Sequence, residues 1–123
     1  MFKIVGTEIN VTRGDVLPIS ISANDDYGVA YTFSDGDIVR FKVFEKKNCD
    51  EVVLVKDTIV NNDTTSVDIY LDGNDTSIGG IISKPTEYWY EVELNPDTVP
   101  QTIIGYDEEG AKVFRLYPEG GNL

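Results

Sequence analysis

Acidic side chains are the groups in this sequence with the greatest capacity for chemistry. The 123 residues include 22 aspartates and glutamates, no histidine, and one cysteine, Cys49. Without histidine and with a single thiol, the chain lacks the components of His-based triads and of thiolate zinc sites. Paired carboxylates can hydrolyse a glycoside across a groove, but most of these acids fall in turns or at outward strand positions, where they are solvated. The sequence therefore predicts no catalytic residue, no cofactor and no enzymatic activity.

Two acidic turns contain the oxygen ligands that calcium prefers. They are residues 24–26, Asn-Asp-Asp, and residues 72–75, Asp-Gly-Asn-Asp. Neither turn has the spacing of an EF-hand loop, and Asn, Asp and Gly are also the ordinary residues of tight turns. We predict no metal site, so chelation should leave the melting temperature unchanged. A calcium-dependent rise would point to Asp25, Asp26, Asp72 or Asp75.

The tripeptide Arg13-Gly14-Asp15 matches the sequence that integrins recognise. Three residues match often by chance, and this glycine falls between two alternating segments, where a tight turn is needed. We therefore interpret the tripeptide as a turn.

The aromatic triplet Tyr88-Trp89-Tyr90 could stack against a sugar. In a strand, successive side chains point to opposite faces, so Trp89 must lie on the face opposite to both tyrosines. At least one of these faces belongs to the core, and Tyr88 or Tyr90 could form the tyrosine corner of an immunoglobulin-like sandwich. The position of Trp89 separates a structural role from carbohydrate binding.

The charge balance restricts the partners. Ten lysines and arginines against 22 acids give a net charge of −12. The only basic doublet, Lys46-Lys47, is too small to neutralise nucleic-acid phosphates or to hold an anionic membrane. The sequence contains no apolar run of about 18 residues and no signal peptide at its start, so we expect synthesis in a cytoplasm. Self-repulsion favours a soluble monomer before any assembly.

Alternation of apolar and polar residues dominates the sequence and indicates antiparallel strands. Residues 39–43 place Val39, Phe41 and Val43 on one face, and residues 67–71 do the same with Val67, Ile69 and Leu71. Turn residues recur about every ten positions, as in a β-sandwich or small barrel. We predict one all-β domain over residues 1–123, with seven or eight antiparallel strands in two sheets and these six side chains buried.

Two local predictions complete the fold. Residues 102–106 and 111–117, joined by residues 107–110, have the pattern of a hairpin. Asp75 or Thr76 could cap a short helical turn near residues 75–83 that carries Ile78, Ile81 and Ile82 at helical spacing.

Four segments carry a resemblance to known proteins. They are INVTRGD (residues 9–15), GDIVRFKV (36–43), KPTEYWYEVEL (84–94) and FRLYPEG (114–120). Together they resemble small proteins of tailed bacteriophages and prophages of Gram-positive gut bacteria. They also resemble the N-terminal domain of phage baseplate upper proteins, an immunoglobulin-like module that anchors a longer chain to the virion.

The resemblance implies an antiparallel immunoglobulin-like β-sandwich that serves as a structural or adaptor component of a virion, in the tail, the baseplate or the head surface. It implies other virion proteins as partners and no catalytic residues. Such a chain would be made in the host bacterial cytoplasm and then join the particle, through an unpaired sheet edge or through the C-terminal residues 118–123. A module that binds a carbohydrate or receptor on the cell surface is the alternative.

Overall fold

The computed structural model of this chain describes residues 2–5, 8–23, 29–47, 51–80, 82–98, 100–104 and 111–119, with the backbone alone described for residues 2–5, 101 and 104. Within these ranges lie nine strands and one helix of four residues, so the described part of the chain holds no helix that is long and apolar enough to cross a membrane. In chain order the elements are β1 (Phe2–Val5), β2 (Glu8–Thr12), β3 (Leu17–Ile21), β4 (Ile38–Phe44), β5 (Val52–Ile59), β6 (Val67–Leu71), α1 (Gly73–Thr76), β7 (Thr86–Leu94), β8 (Gln101–Ile104) and β9 (Lys112–Tyr117).

The strands form two sheets, which confirms the all-β prediction, although the nine described strands exceed the predicted seven or eight. Seven strands build a large sheet in the order β1-β2-β9-β7-β4-β5, with β8 also paired to β7, and β3 and β6 form a small sheet. All pairings between named strands are antiparallel except that of β2 with β9, which is parallel. The parallel pair joins strands from opposite ends of the chain. Parallel neighbours cannot be linked by a tight turn, which agrees with the long sequence separation of β2 and β9.

The predicted hairpin near the C-terminus is wrong. Strand β8 lies opposite Val92–Leu94 and β9 lies opposite Thr86–Tyr90, and both are antiparallel to β7. Strand β4 occupies the other edge of β7, so β8 and β9 run in the same direction along one edge. Strand β7 has nine residues, so β8 and β9 can each pair with a different part of it. This pairing replaces the hydrogen bonds that β8 and β9 would have made to each other in a hairpin. Residues 105–110, which include the whole predicted loop, lie outside the described residues.

Both sheets contribute to one hydrophobic core. The six side chains predicted from alternation are all buried, with exposures between 0% and 4%. Phe41 stacks on Tyr90 with ring centroids 5.3 Å apart and meets Phe114 edge-on at 6.2 Å. These ring contacts join β4, β7 and β9 at the centre of the large sheet.

The helical turn is shorter than predicted and begins earlier. Asp72 is its N-cap: the Asp72 side chain accepts from the Asp75 N–H, and the Asp75 side chain accepts from the Asp72 N–H. Asp75 is therefore the third helical residue, and Thr76 is the last, so neither is the cap. Ile78 is buried and Ile82 is partly buried against the core, whereas Ile81 lies outside the described residues.

Candidate functional site

Arg13, the first residue of the integrin-like tripeptide, is held inside the fold. Its Nη2 donates to the carbonyl oxygens of Gly79 at 2.9 Å and Ser77 at 3.3 Å, and its Nε donates to that of Ile78 at 3.3 Å. Its Nη1 pairs with Glu119 at 2.8 Å, and the side chain is only 13% exposed. The guanidinium thus ties the β2–β3 turn to the segment after α1 and to the end of β9, and we call this set of contacts the Arg13 clasp.

The rest of the tripeptide packs against α1. The Gly14 N–H donates to the hydroxyl of buried Thr76 at 3.1 Å, and this hydroxyl donates to the Asp15 carbonyl at 2.7 Å. A Cβ on Gly73 would lie 2.7 Å from the Gly14 carbonyl oxygen, so this approach requires glycine. With φ of +88°, Gly14 also occupies a conformation that favours glycine. The arrangement supports the interpretation of the tripeptide as a turn.

The acidic turn at residues 72–75 is used for helix capping. Both carboxylates of the capping box accept backbone hydrogen bonds, and Asp75 also lies 3.2 Å from the Lys56 ammonium. Among the described residues no three His, Cys, Asp or Glu side chains are grouped so that they could hold a metal ion. Asp25 and Asp26 lie outside the described residues, so the absence of a calcium site stays a prediction.

The aromatic triplet is divided between the two faces of β7, as alternation predicts. Tyr88 and Tyr90 are buried in the core, and burial raises the pKa of Tyr90 to about 12. Trp89 is partly exposed on the opposite face, where its strand neighbours are Phe44 on β4 and Val113 on β9. Only one ring of the triplet is therefore open to a ligand. The tyrosine corner stays a prediction.

The solvent side of the large sheet, opposite the core, carries alternate residues of β2, β9, β7, β4 and β5, and we call it the outer face. Three cations on this face each lie between two carboxylates. The sets are Arg40 with Asp57 and Asp97, Lys42 with Glu91 and Glu93, and Arg115 with Glu8 and Glu87. Because each of these three cations has two acidic neighbours, the described side chains of the outer face leave no surplus positive charge with which to bind an anion.

The Arg40 set lies beside β5 and has the most complete geometry. Arg40 binds Asp57 through two hydrogen bonds, Nε to Oδ1 at 2.7 Å and Nη2 to Oδ2 at 3.0 Å. It also donates to both oxygens of Asp97, at 3.3 and 3.1 Å. The hydrogen bonds from Arg40 hold the pKa of Asp57 below its usual range, so this carboxylate is ionised at neutral pH. Two carboxylates and one guanidinium leave this cluster with a net negative charge.

Strand β5 carries the largest group of exposed aliphatic side chains in the described part of the molecule. Val52, Val53, Val55 and Ile59 are 50%, 38%, 50% and 62% exposed, and they are four of the seven large hydrophobic residues that the described chain exposes. Scattered exposed aliphatic residues are normal, whereas a group of them on one strand makes that strand a candidate interaction surface.

Strand β5 is also an edge of the large sheet. Among the described residues its only strand partner is β4, so its other side presents unpaired backbone groups. Such an edge can accept a strand from another chain. Two features limit uncontrolled pairing: the register with β4 shifts next to Phe44, and Lys56 points to the core side, where it meets Asp75. We take this free edge of β5 as the candidate functional site.

The sequence predicted docking through an unpaired sheet edge or the C-terminal residues 118–123 but did not identify β5 as that edge, although a signal existed. The segment Val52 to Lys56 contains four consecutive aliphatic residues, which is a more continuous apolar run than a half-buried strand needs. A run of this kind can belong to a buried strand or to a docking edge, and only the strand order shows which.

Comparisons with known proteins give this chain no relative. No protein-family model matches it, and neither a curated protein nor a solved structure matches it at a significant level.

Proposed function

We propose that this chain is a non-enzymatic structural or adaptor component of a bacteriophage virion and that it docks onto another virion protein through the free edge of β5. The exposed aliphatic edge strand is the observation that carries the docking role. The virion as the assembly, in the tail, baseplate or head surface, follows from the sequence resemblance to phage structural proteins and their immunoglobulin-like anchor domains.

The energetics favour strand addition at this edge. A partner strand gives the unpaired backbone groups of β5 the hydrogen bonds that they otherwise make with water. Covering a half-exposed valine contributes about 1 kcal/mol, since full burial of such a side chain is worth roughly twice that. Val55 and Ile59 are four residues apart on the same face of β5, so a single added strand covers both.

The acids of the capping turn and of the outer face support a binding role over catalysis. The acids of the capping turn serve α1, and those of the outer face are paired with Arg40, Lys42 or Arg115. A catalytic carboxylate pair needs one acid whose environment keeps it protonated near neutral pH, across a groove from a second. The outer-face carboxylates sit instead next to cations, which favour the ionised form.

A glycan-binding module is the second candidate, and Trp89 is the observation in its favour. Its ring is partly exposed on the outer face between Glu87 and Glu91, which provide acceptors for sugar hydroxyls. Quenching of the fluorescence of Trp89, the single tryptophan of the sequence, by a glycan, together with loss of glycan binding by Trp89→Ala in isothermal titration calorimetry, would support this role. An unchanged spectrum with cell-wall polysaccharide counts against it.

Mass spectrometry of purified particles tests the proposed function. The wild-type chain should be present at a fixed copy number, and Val55→Lys should lower that number because it places a charge in the docking edge. Val29→Lys is the matched control, since Val29 is 61% exposed but lies outside β5. Both variants should fold normally because they alter exposed residues. Absence of the chain from particles contradicts the virion role, and a normal copy number of Val55→Lys contradicts docking through β5.

A further inference from the structure

The hydrogen bonds at the end of β5 show which residues direct their backbone groups toward the free edge. The Val60 N–H donates to the Asp37 carbonyl at 2.8 Å, and the Val60 carbonyl accepts from the Gly36 N–H at 2.8 Å. Val60 therefore directs both groups toward the segment that leads into β4. Because the direction of these groups alternates along a strand, Ile59 directs its own groups the opposite way.

Strand β4 gives an independent check of the direction in which the backbone groups of Ile59 point. The Ile38 carbonyl accepts from the Asn95 N–H at 2.7 Å, and the Ile38 N–H donates to the Asn95 side chain at 2.9 Å. Ile38 thus directs both backbone groups away from β5, although it lies directly opposite Ile59. The pair is therefore a non-hydrogen-bonded one. The alternation carries from Ile59 to Asp57 and Val55, so these three residues present three N–H and three C=O groups at the free edge.

The same three residues form a defined side-chain pattern. Val55 and Asp57 lie opposite the outer-face residues Lys42 and Arg40, so Val55, Asp57 and Ile59 all point to the outer face. The pattern along the edge is aliphatic, acidic, aliphatic. Asp57 is 40% exposed, and it shares the Arg40 guanidinium with Asp97, which is 64% exposed. The centre of the edge is therefore negatively charged, and aliphatic side chains lie on both sides of it.

We infer, on the basis of the docking role proposed above, that the occupant of this edge is an extended partner segment with a lysine or arginine placed two residues from an aliphatic residue on each side. Directly opposite residues of paired strands point to the same face, so the partner's cation lies beside Asp57 and its aliphatic residues lie beside Val55 and Ile59. Opposite charges in such a cross-strand pair are favourable, and the net charge of −12 attracts the cationic segment over a longer range.

A second copy of this chain does not fit the edge. In the antiparallel self-pairing that uses all three residues, Val55 of each copy lies opposite Ile59 of the other, and the two Asp57 side chains lie opposite each other. Like charges in directly opposite positions are destabilising. Two molecules that each carry a charge of −12 also repel each other.

Synthetic peptides test the inference on the isolated protein. The probe is the acetylated and amidated peptide Ser-Val-Thr-Lys-Thr-Val-Ser, compared with versions that have glutamate or glutamine in place of lysine. In an NMR titration the amide signals of Val55, Asp57 and Ile59 should shift, and the lysine peptide should bind about fivefold more tightly than the glutamate peptide. Asp57→Asn should reduce this preference, and Asp68→Asn, which alters an exposed acid on β6, should leave it unchanged.

The outcomes separate this inference from the proposed function. If no peptide shifts the edge amides, or if the glutamate peptide binds as tightly as the lysine peptide, the inference is wrong even where the chain is found in particles. If the lysine preference is observed but the chain is absent from particles, the edge assignment stands and the virion role fails.

Discussion

Replacing Arg13 with alanine removes the side chain that joins three segments of the fold. The lost contacts are hydrogen bonds to the carbonyls of Ser77, Ile78 and Gly79 and an ion pair with Glu119. At 13% exposure the guanidinium is largely shielded from water, so each carbonyl bond is worth about 1 kcal/mol. The pair with Glu119 adds at most about 1 kcal/mol, because that carboxylate is 36% exposed. The predicted loss is about 3–4 kcal/mol, a large part of the roughly 5–15 kcal/mol that stabilises a typical domain.

Urea unfolding of a matched series measures this loss. Arg13→Ala should shift the midpoint to lower urea with an unchanged slope, since the surface exposed on unfolding hardly changes. Arg13→Lys should lose about half as much, because one ammonium cannot reach the same set of acceptors as a planar guanidinium. Glu119→Gln should cost at most about 1 kcal/mol. If Arg13→Ala unfolds within about 1 kcal/mol of the wild type, the clasp does not stabilise the fold.

Three further variants test the core, the contact between the β2–β3 turn and α1, and the outer face. Phe41→Ala should lower the free energy of unfolding by about 3–5 kcal/mol, because it leaves a cavity under a fully buried ring, and a loss below about 1.5 kcal/mol in urea unfolding would contradict the packing. Gly73→Ala should destabilise although it raises helix propensity, since its Cβ would meet the Gly14 carbonyl at 2.7 Å; a raised melting temperature would refute this. Arg40 keeps the pKa of Asp57 low, so the pair stabilises the fold above the unfolded-state pKa of about 3.9 and loses this effect as the pH falls through the lowered folded-state pKa. Asp57→Asn should therefore show a weaker loss of stability in acid than the wild type, and identical pH profiles would count against the pairing.

Alternation was the part of the sequence that predicted structure most directly. One face of β4 carries the buried residues Val39, Phe41 and Val43. On β7, Trp89 points to the face opposite to that of Tyr88 and Tyr90. Such patterns are readable because the period of a strand is two and because one face must leave water. The turn at residues 13–15 was predicted for the related reason that few residues adopt the backbone conformation that Gly14 has there.

Features that depend on distant residues could not be read in the same way. Strands β8 and β9 have the composition of a hairpin, but which strand each joins depends on the free length of β7. The Arg13 clasp joins residues that are more than 60 positions apart, and nothing near Arg13 in the sequence indicates Ser77 or Glu119. The free edge of β5 follows from the strand order of the whole sheet, which local patterns do not determine.

Hydrogen exchange at the free edge of β5 tests the central claim most directly. The claim is that the N–H groups of Val55, Asp57 and Ile59 are open in the isolated protein and become paired on docking. In the isolated protein these amides should exchange much faster than those of Leu54 and Thr58, whose groups point to β4. In purified particles the exchange of the β5 segment, measured by mass spectrometry, should slow markedly. Protection of these three amides in the isolated protein, or an unchanged rate in the particle, would contradict docking through β5.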